Sequence, residues 1–154
     1  MSNEEMKQKI KETCKELRIE LVWITLGENC ASRGKKSVRL KDISDSGDFA
    51  VALHEIGHAQ CDPCDKPATP MEKLDAEFDA WKWARERNGG NFDAEGWKRL
   101  HKSLRQYYYA VMGTSHPAYE LLMEAKRQNG DIRTRIPPFA TEINFGRKER
   151  KKQE

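Results

Sequence analysis

Five consecutive residues, His54-Glu55-Ile56-Gly57-His58, constrain this 154-residue chain more than any other feature. Residues four apart share one face, one turn apart, when the backbone is an α-helix. Two imidazoles so placed can converge on a tetrahedral metal ion at roughly 2.0–2.1 Å each. The glutamate after the first histidine can reach a water at that ion and take its proton. Gly57, lacking a side chain, lets another segment pack closely beside the helix. The pattern H-E-x-x-H is short and recurs by chance, so its surroundings matter. Here it sits mid-helix among Ala50, Ala52, Leu53 and Ile56, after two strand-like segments. The bland alternative, a solvated helix with two incidental histidines, would put half of the chain's four His on one helical face by accident.

The rest of the chain supplies elements to hold such a helix. Met6, Ile10, Cys14 and Leu17 recur at helical spacing, which predicts an amphipathic helix over residues 3–17. Residues 19–25 are rich in β-branched and aromatic side chains and read as a strand. Residues 27–36 read as a polar loop. Val38 and Leu40 alternate with Arg39 and Lys41, predicting a second strand over 37–43. Ser44-Asp45-Ser46-Gly47-Asp48 is a turn with candidate caps for a helix over about 48–60. A loop carrying Pro63 and Pro67 follows, and then Thr69-Pro70-Met71-Glu72, a helix start with a capping threonine and a proline in the first turn. That helix runs to about Asn88. A fourth covers 93–112 with Trp97, Leu100, Leu104, Tyr107 and Tyr108 on its apolar side, and a fifth begins near Ser115-His116-Pro117. A third, edge-type strand could come from the loops.

A catalytic metal needs a third protein ligand and an open position for water. Glu77, on the helix begun at Thr69, is the best candidate. Ala80, Trp81 and Ala84 lie three, four and seven residues on and share its face. The small alanines permit close approach to the metal helix, and Trp81 can cover the site. Glu72, Asp75 and Asp79 are rivals. Glu72 is better used as a cap, and the two aspartates point about 160° away from Glu77 by helical geometry.

His54 to His58, followed by Glu77-x-x-Ala80-x-x-Trp83-Ala84, resembles the ImmA/IrrE-type family of small phage and bacterial metallopeptidases. That family pairs H-E-x-x-H with a downstream E-x-x-A-x-x-F-A helix. Trp83 stands where the phenylalanine is usual. The resemblance spans roughly residues 19–85. It implies a gluzincin-like fold with Zn2+ held by His54, His58 and Glu77, and Glu55 as general base. It also implies a cytoplasmic enzyme of phage or prophage type that cleaves an intracellular protein, often a DNA-binding repressor.

Cys61 and Cys64 lie outside that pattern and create the rival reading. His54, His58, Cys61 and Cys64 would make a closed structural zinc site with no catalytic role, in a zinc-stabilised interaction module. Pro63 argues against a regular helix reaching Cys64. A redox role fits poorly, because the pair follows a helix C-terminus, where the dipole disfavours a thiolate. Cys14 reads as a small core residue and Cys30 as a loop residue. The four cysteines come without an apolar signal segment, which favours reduced thiols or metal ligands in the cytoplasm. The longest apolar stretch, Leu21-Val22-Trp23-Ile24, is far too short to span a bilayer. A net charge of +3 makes no strong case for nucleic acid or a membrane as partner, leaving a protein or peptide substrate. Tyr107, Tyr108, Tyr109, His101 and His116 are the residue types that could donate to a developing oxyanion, with core or cap roles as the alternative.

These patterns predict one α+β domain over residues 1–135, a short sheet packed on a helical bundle that carries the H-E-x-x-H helix. An irregular to disordered basic tail would follow over 136–154. Hydrophobic residues at 37% and charged residues at 34% fit a globular chain that buries a core without staples.

Overall fold

The structure, a computed structural model, describes residues 1–32, 34–61, 69–111 and 115–137. Pro63, Cys64, Pro67, Met112 and the terminal basic run therefore lie outside the described residues. Within them the chain forms an α+β fold of five helices and a three-stranded mixed sheet.

The first helix, α1 (Asn3–Leu17), opens where the Ser2 side chain accepts from the Glu5 amide. It ends where Arg18 turns left-handed at φ 57° and its N–H reaches the Cys14 and Lys15 carbonyls. Met6, Ile10 and Cys14 are buried on the face that the 3.6-residue period picks out. Strand β1 (Glu20–Ile24) follows, then β2 (Cys30–Ser32) and β3 (Ser37–Lys41). The sheet order is β1-β3-β2, with β1 parallel and β2 antiparallel to β3. Central β3 buries Val38 and Leu40 completely, while Arg39 and Lys41 are exposed, as the alternation predicts. The third strand falls inside the expected polar loop. Three residues carry too little pattern to announce it, and its position is fixed by pairing with β3 at Ala31↔Val38.

Helix α2 (Ser46–Cys61) starts two residues earlier than expected. Asp45 Oδ1 accepts from the Asp48 amide, and Asp48 Oδ2 accepts in return from the Ser44 amide and hydroxyl. Phe49, Ala50, Ala52, Leu53, Ile56 and Ala59 are all buried, so α2 is apolar around most of its circumference, the signature of a central helix. It packs most extensively on α3 (Pro70–Arg87) and α4 (Ala94–Ala110). Thr69 caps α3 by accepting from the Glu72 amide, and Asp93 caps α4 by accepting from the Gly96 amide.

Helix α5 (Ala118–Gln128) packs on α4. The chain then returns without regular structure, yet it is tied down. Tyr109 donates to the Arg135 carbonyl, Tyr108 to the Pro137 carbonyl, and Arg105 to the Thr134 hydroxyl. Ile136 is buried, so packing continues through the last described residues. No helix among the described residues is long and apolar enough to cross a membrane.

Candidate metal centre

The site lies where α2 meets α3. Gly57 makes that approach possible. A Cβ there would sit 2.7 Å from the Ala80 carbonyl oxygen and 3.1 Å from the Ala80 Cα, closer than real Cβ contacts come. With hydrogen at Gly57 and a fully buried Ala80 opposite, the two helices close far enough for Glu77 to reach both histidines.

Glu77 places one carboxylate oxygen on each ring. Oε2 lies 2.8 Å from His54 Nε2 and Oε1 lies 2.9 Å from His58 Nε2. An ionised carboxylate can only accept, so both rings present Nε2–H to it. His54, His58 and Glu77 are buried at 5%, 4% and 8% exposure, which makes this a charged cluster inside the protein. Burial alone would raise the Glu77 carboxyl; the hydrogen bonds from His54 and His58, with their charge, hold it well below the usual carboxylate range. Burial likewise presses the His54 imidazole down, but the Glu55 and Glu77 carboxylates outweigh it and hold it above its ordinary value.

These three side chains can hold a metal ion. One ligand atom from each lies within 4.8 Å of the other two. Two ligands of a tetrahedral zinc are about 3.3 Å apart by the geometry of bonds near 2.0–2.1 Å. The observed contacts of 2.8 and 2.9 Å are a few tenths of an ångström shorter, the spacing expected when protons occupy the gap. A cation bound there would need both Nε2 lone pairs, so each neutral ring would carry its proton at Nδ1 instead. Two imidazoles and one carboxylate make a nitrogen–oxygen donor set that suits a borderline ion and leaves a fourth position to water.

Glu55 stands apart from that cluster. Its side chain is 14% exposed, and Oε1 lies 3.6 Å from His54 Nδ1, beyond hydrogen-bond reach. It lines a cleft of about 440 Å3 with Val51, Asp48, Asn29, Lys41 and Arg99, of which the three clustered residues are not walls. Arg99, from α4, spans that cleft's floor to Asp48 Oδ1 at 3.2 Å, tying α4 to the first turn of α2.

The remaining candidates fall elsewhere. Asp75 Oδ1 accepts from His116 Nε2 at 2.7 Å, and His116 Nδ1 accepts from the Ala118 amide at 2.9 Å. His116 thus serves the start of α5 through Nδ1, the cap role considered for it, and ties that start to α3 through Nε2. Tyr108 and Tyr109 spend their hydroxyls on the C-terminal segment. His101 is buried at 3% exposure with no hydrogen-bond partner for Nε2 among the described residues. Cys61 closes α2 three residues after His58 and is not in the three-residue cluster; Cys64 lies outside the described residues. Glu72 serves at the start of α3, where its amide donates to Thr69.

Sequence reasoning places Trp81 over the site but misses how it is held. The indole stacks on His54 with centroids 4.3 Å apart and planes 18° apart, and its Nε1 donates to Ser103 Oγ on α4 at 3.3 Å. No local pattern around Ser103 announces that bond, which depends on how α3 and α4 dock. Comparison with protein-family models, curated proteins and solved structures returns no match.

Proposed function

We propose that the chain is a zinc-dependent metallopeptidase of the ImmA/IrrE type, hydrolysing peptide bonds of an intracellular protein. The observation that carries the reading is the Glu77 carboxylate seated between the Nε2 atoms of His54 and His58 at 2.8 and 2.9 Å. A third donor at that point is what an H-E-x-x-H helix requires for a catalytic rather than incidental pair of histidines. His54, His58 and Glu77 would hold zinc, which would supply Lewis acidity for polarising a carbonyl and easing deprotonation of water. Glu55, next to His54 in the motif and on the wall of a cleft that the three ligands do not line, would take the water proton and return it to the leaving amine. The resemblance of His54–His58 and Glu77–Ala84 to that family extends the proposal to a cytoplasmic, phage-type enzyme with a repressor-like substrate. That extension is analogy and rests on motif alone.

The test is Glu55→Gln. The amide keeps the shape of the side chain and loses its basicity. Hydrolysis of a fluorogenic peptide library should fall by about 10²–10⁴-fold, the usual contribution of a general base, while zinc content stays at the wild-type level. Equal hydrolysis by wild type and variant contradicts the assignment.

One observation favours a second reading. α2 stays helical through Cys61, one turn beyond His58, so a thiolate follows the two imidazoles on neighbouring turns. That supports a structural zinc site of His54, His58, Cys61 and Cys64 in a non-catalytic interaction module. In that case Glu55→Gln leaves the module folded and functional, and Glu77 is dispensable for zinc.

A further inference from the structure

We propose that Trp81 is a positioning residue that fixes the ring plane of His54 for metal binding, and that Ser103 on α4 holds Trp81 in place for that task. The inference rests on His54, His58 and Glu77 forming a metal site, and goes beyond it.

A histidine ligand needs its ring plane fixed, because the metal lies in that plane along the nitrogen lone pair. The usual device is a hydrogen bond from the second ring nitrogen to a carboxylate or carbonyl. At His54 that device is weak, since the carboxylate nearest Nδ1 is Glu55 at 3.6 Å. The ring is held by its face instead. Trp81 lies flat against it, 4.3 Å away and 18° from parallel. Face contact leaves both nitrogen edges unobstructed, so Nε2 stays directed at the Glu77 carboxylate.

Trp81 can impose a plane because it is itself immobilised on three sides. It is fully buried. Phe92 meets its ring edge-on at 6.1 Å and 88°. The Ser103 hydroxyl accepts from its Nε1, fixing rotation about the indole's own axis. Position along α3 completes the arrangement. Trp81 follows Glu77 by four residues, so one helix face delivers both the third ligand and the wall behind the first. A residue placed only to fill the core would need neither the near-parallel stack nor the tether to another helix.

Zinc affinity by chelator competition, and the visible spectrum of the Co2+-loaded protein, test this on Trp81→Leu, Trp81→Phe and Ser103→Ala, with wild type and His58→Ala as references. Trp81→Leu removes the flat face and should weaken zinc about 10- to 100-fold, the range for lost ligand-orienting partners, and shift the Co2+ bands. Trp81→Phe keeps a ring against His54 and should recover most of the affinity. Ser103→Ala should bind a few-fold more weakly with a displaced Co2+ spectrum. A merely structural Trp81 would lower thermal stability in these variants without moving the Co2+ bands. Wild-type affinity and an unchanged spectrum in Trp81→Leu overturn the proposal. If that variant does not fold, an unchanged affinity and spectrum in Ser103→Ala overturns it equally. Should wild type and His58→Ala prove alike in zinc binding, the metal site itself is refuted and this inference falls with it.

Discussion

His101 illustrates how a single buried group writes itself into stability. Burial pushes its imidazole down to about 4, with the nearby Arg105 and Lys126 charges adding to the shift. The folded chain therefore keeps His101 neutral where the unfolded chain would protonate it. The stability it contributes is complete above its unfolded value of 6.5 and is lost as pH falls toward 4. Nε2 also lacks a hydrogen-bond partner among the described residues, a cost that an apolar side chain of similar size would not carry. His101→Leu should accordingly match or exceed wild-type stability at pH 7. Between pH 6.5 and 4 it should escape at most about 3 kcal/mol of the wild type's loss, read from urea midpoints at each pH. Parallel pH profiles for the two proteins would contradict the buried-neutral assignment. The contrast with His54 is instructive. Burial lowers both imidazoles; at His54 the Glu55 and Glu77 carboxylates outweigh it, whereas at His101 the Arg105 and Lys126 charges add to it.

At the scale of elements, the junction of α2 and α3 decides whether the ligands meet. Gly57→Ala places a methyl group against the Ala80 backbone, which cannot rotate away. Overpacking of this kind costs about 1–3 kcal/mol, offset by up to about 1 kcal/mol of helix propensity gained on leaving glycine. The variant should be modestly less stable, and its zinc affinity should fall more than its stability because Glu77 retreats from both rings. A calorimetric titration with zinc checks this; undiminished affinity would mean the helix spacing is not what sets the site. Helices α1 and α4 were legible beforehand from a 3.6-residue apolar stripe, and α3 from its start at Thr69-Pro70. The residues of the site were legible for a related reason. His54 and His58 are phased by one helix, and Glu77 is phased by Ala80, Trp81 and Ala84 on another. What could not be read was anything created by docking. Strand β2 exists through its pairing with β3, the Trp81–Ser103 bond joins residues 22 apart on different helices, and Asp75 finds His116 across 41 residues.

In the whole molecule, α2 is the central element among the described residues, packed against α1, β2, β3, α3 and α4. α1 and the sheet cover it on the N-terminal side of the chain, and α3 and α4 make its largest contacts. Two tethers run from α4 to the site, Arg99 to the first turn of α2 and Ser103 to the tryptophan behind His54. A buried carboxylate between two imidazoles is costly to assemble unless something is gained by it, since removing charges from water carries a penalty of several kcal/mol per ion. A bound cation that neutralises the cluster supplies that gain, and an ion that binds only the folded chain raises its stability by mass action. On the proposed function, His54, His58 and Glu77 hold zinc without help from the cysteines. It is tested most directly by metal analysis of purified wild type, His58→Ala, Glu77→Gln and the Cys61→Ser/Cys64→Ser double variant. Wild type should carry about one zinc per chain, lost in His58→Ala and Glu77→Gln and retained when both cysteines are changed. Zinc that disappears with the cysteines and is indifferent to Glu77→Gln would contradict it and establish a closed structural site instead.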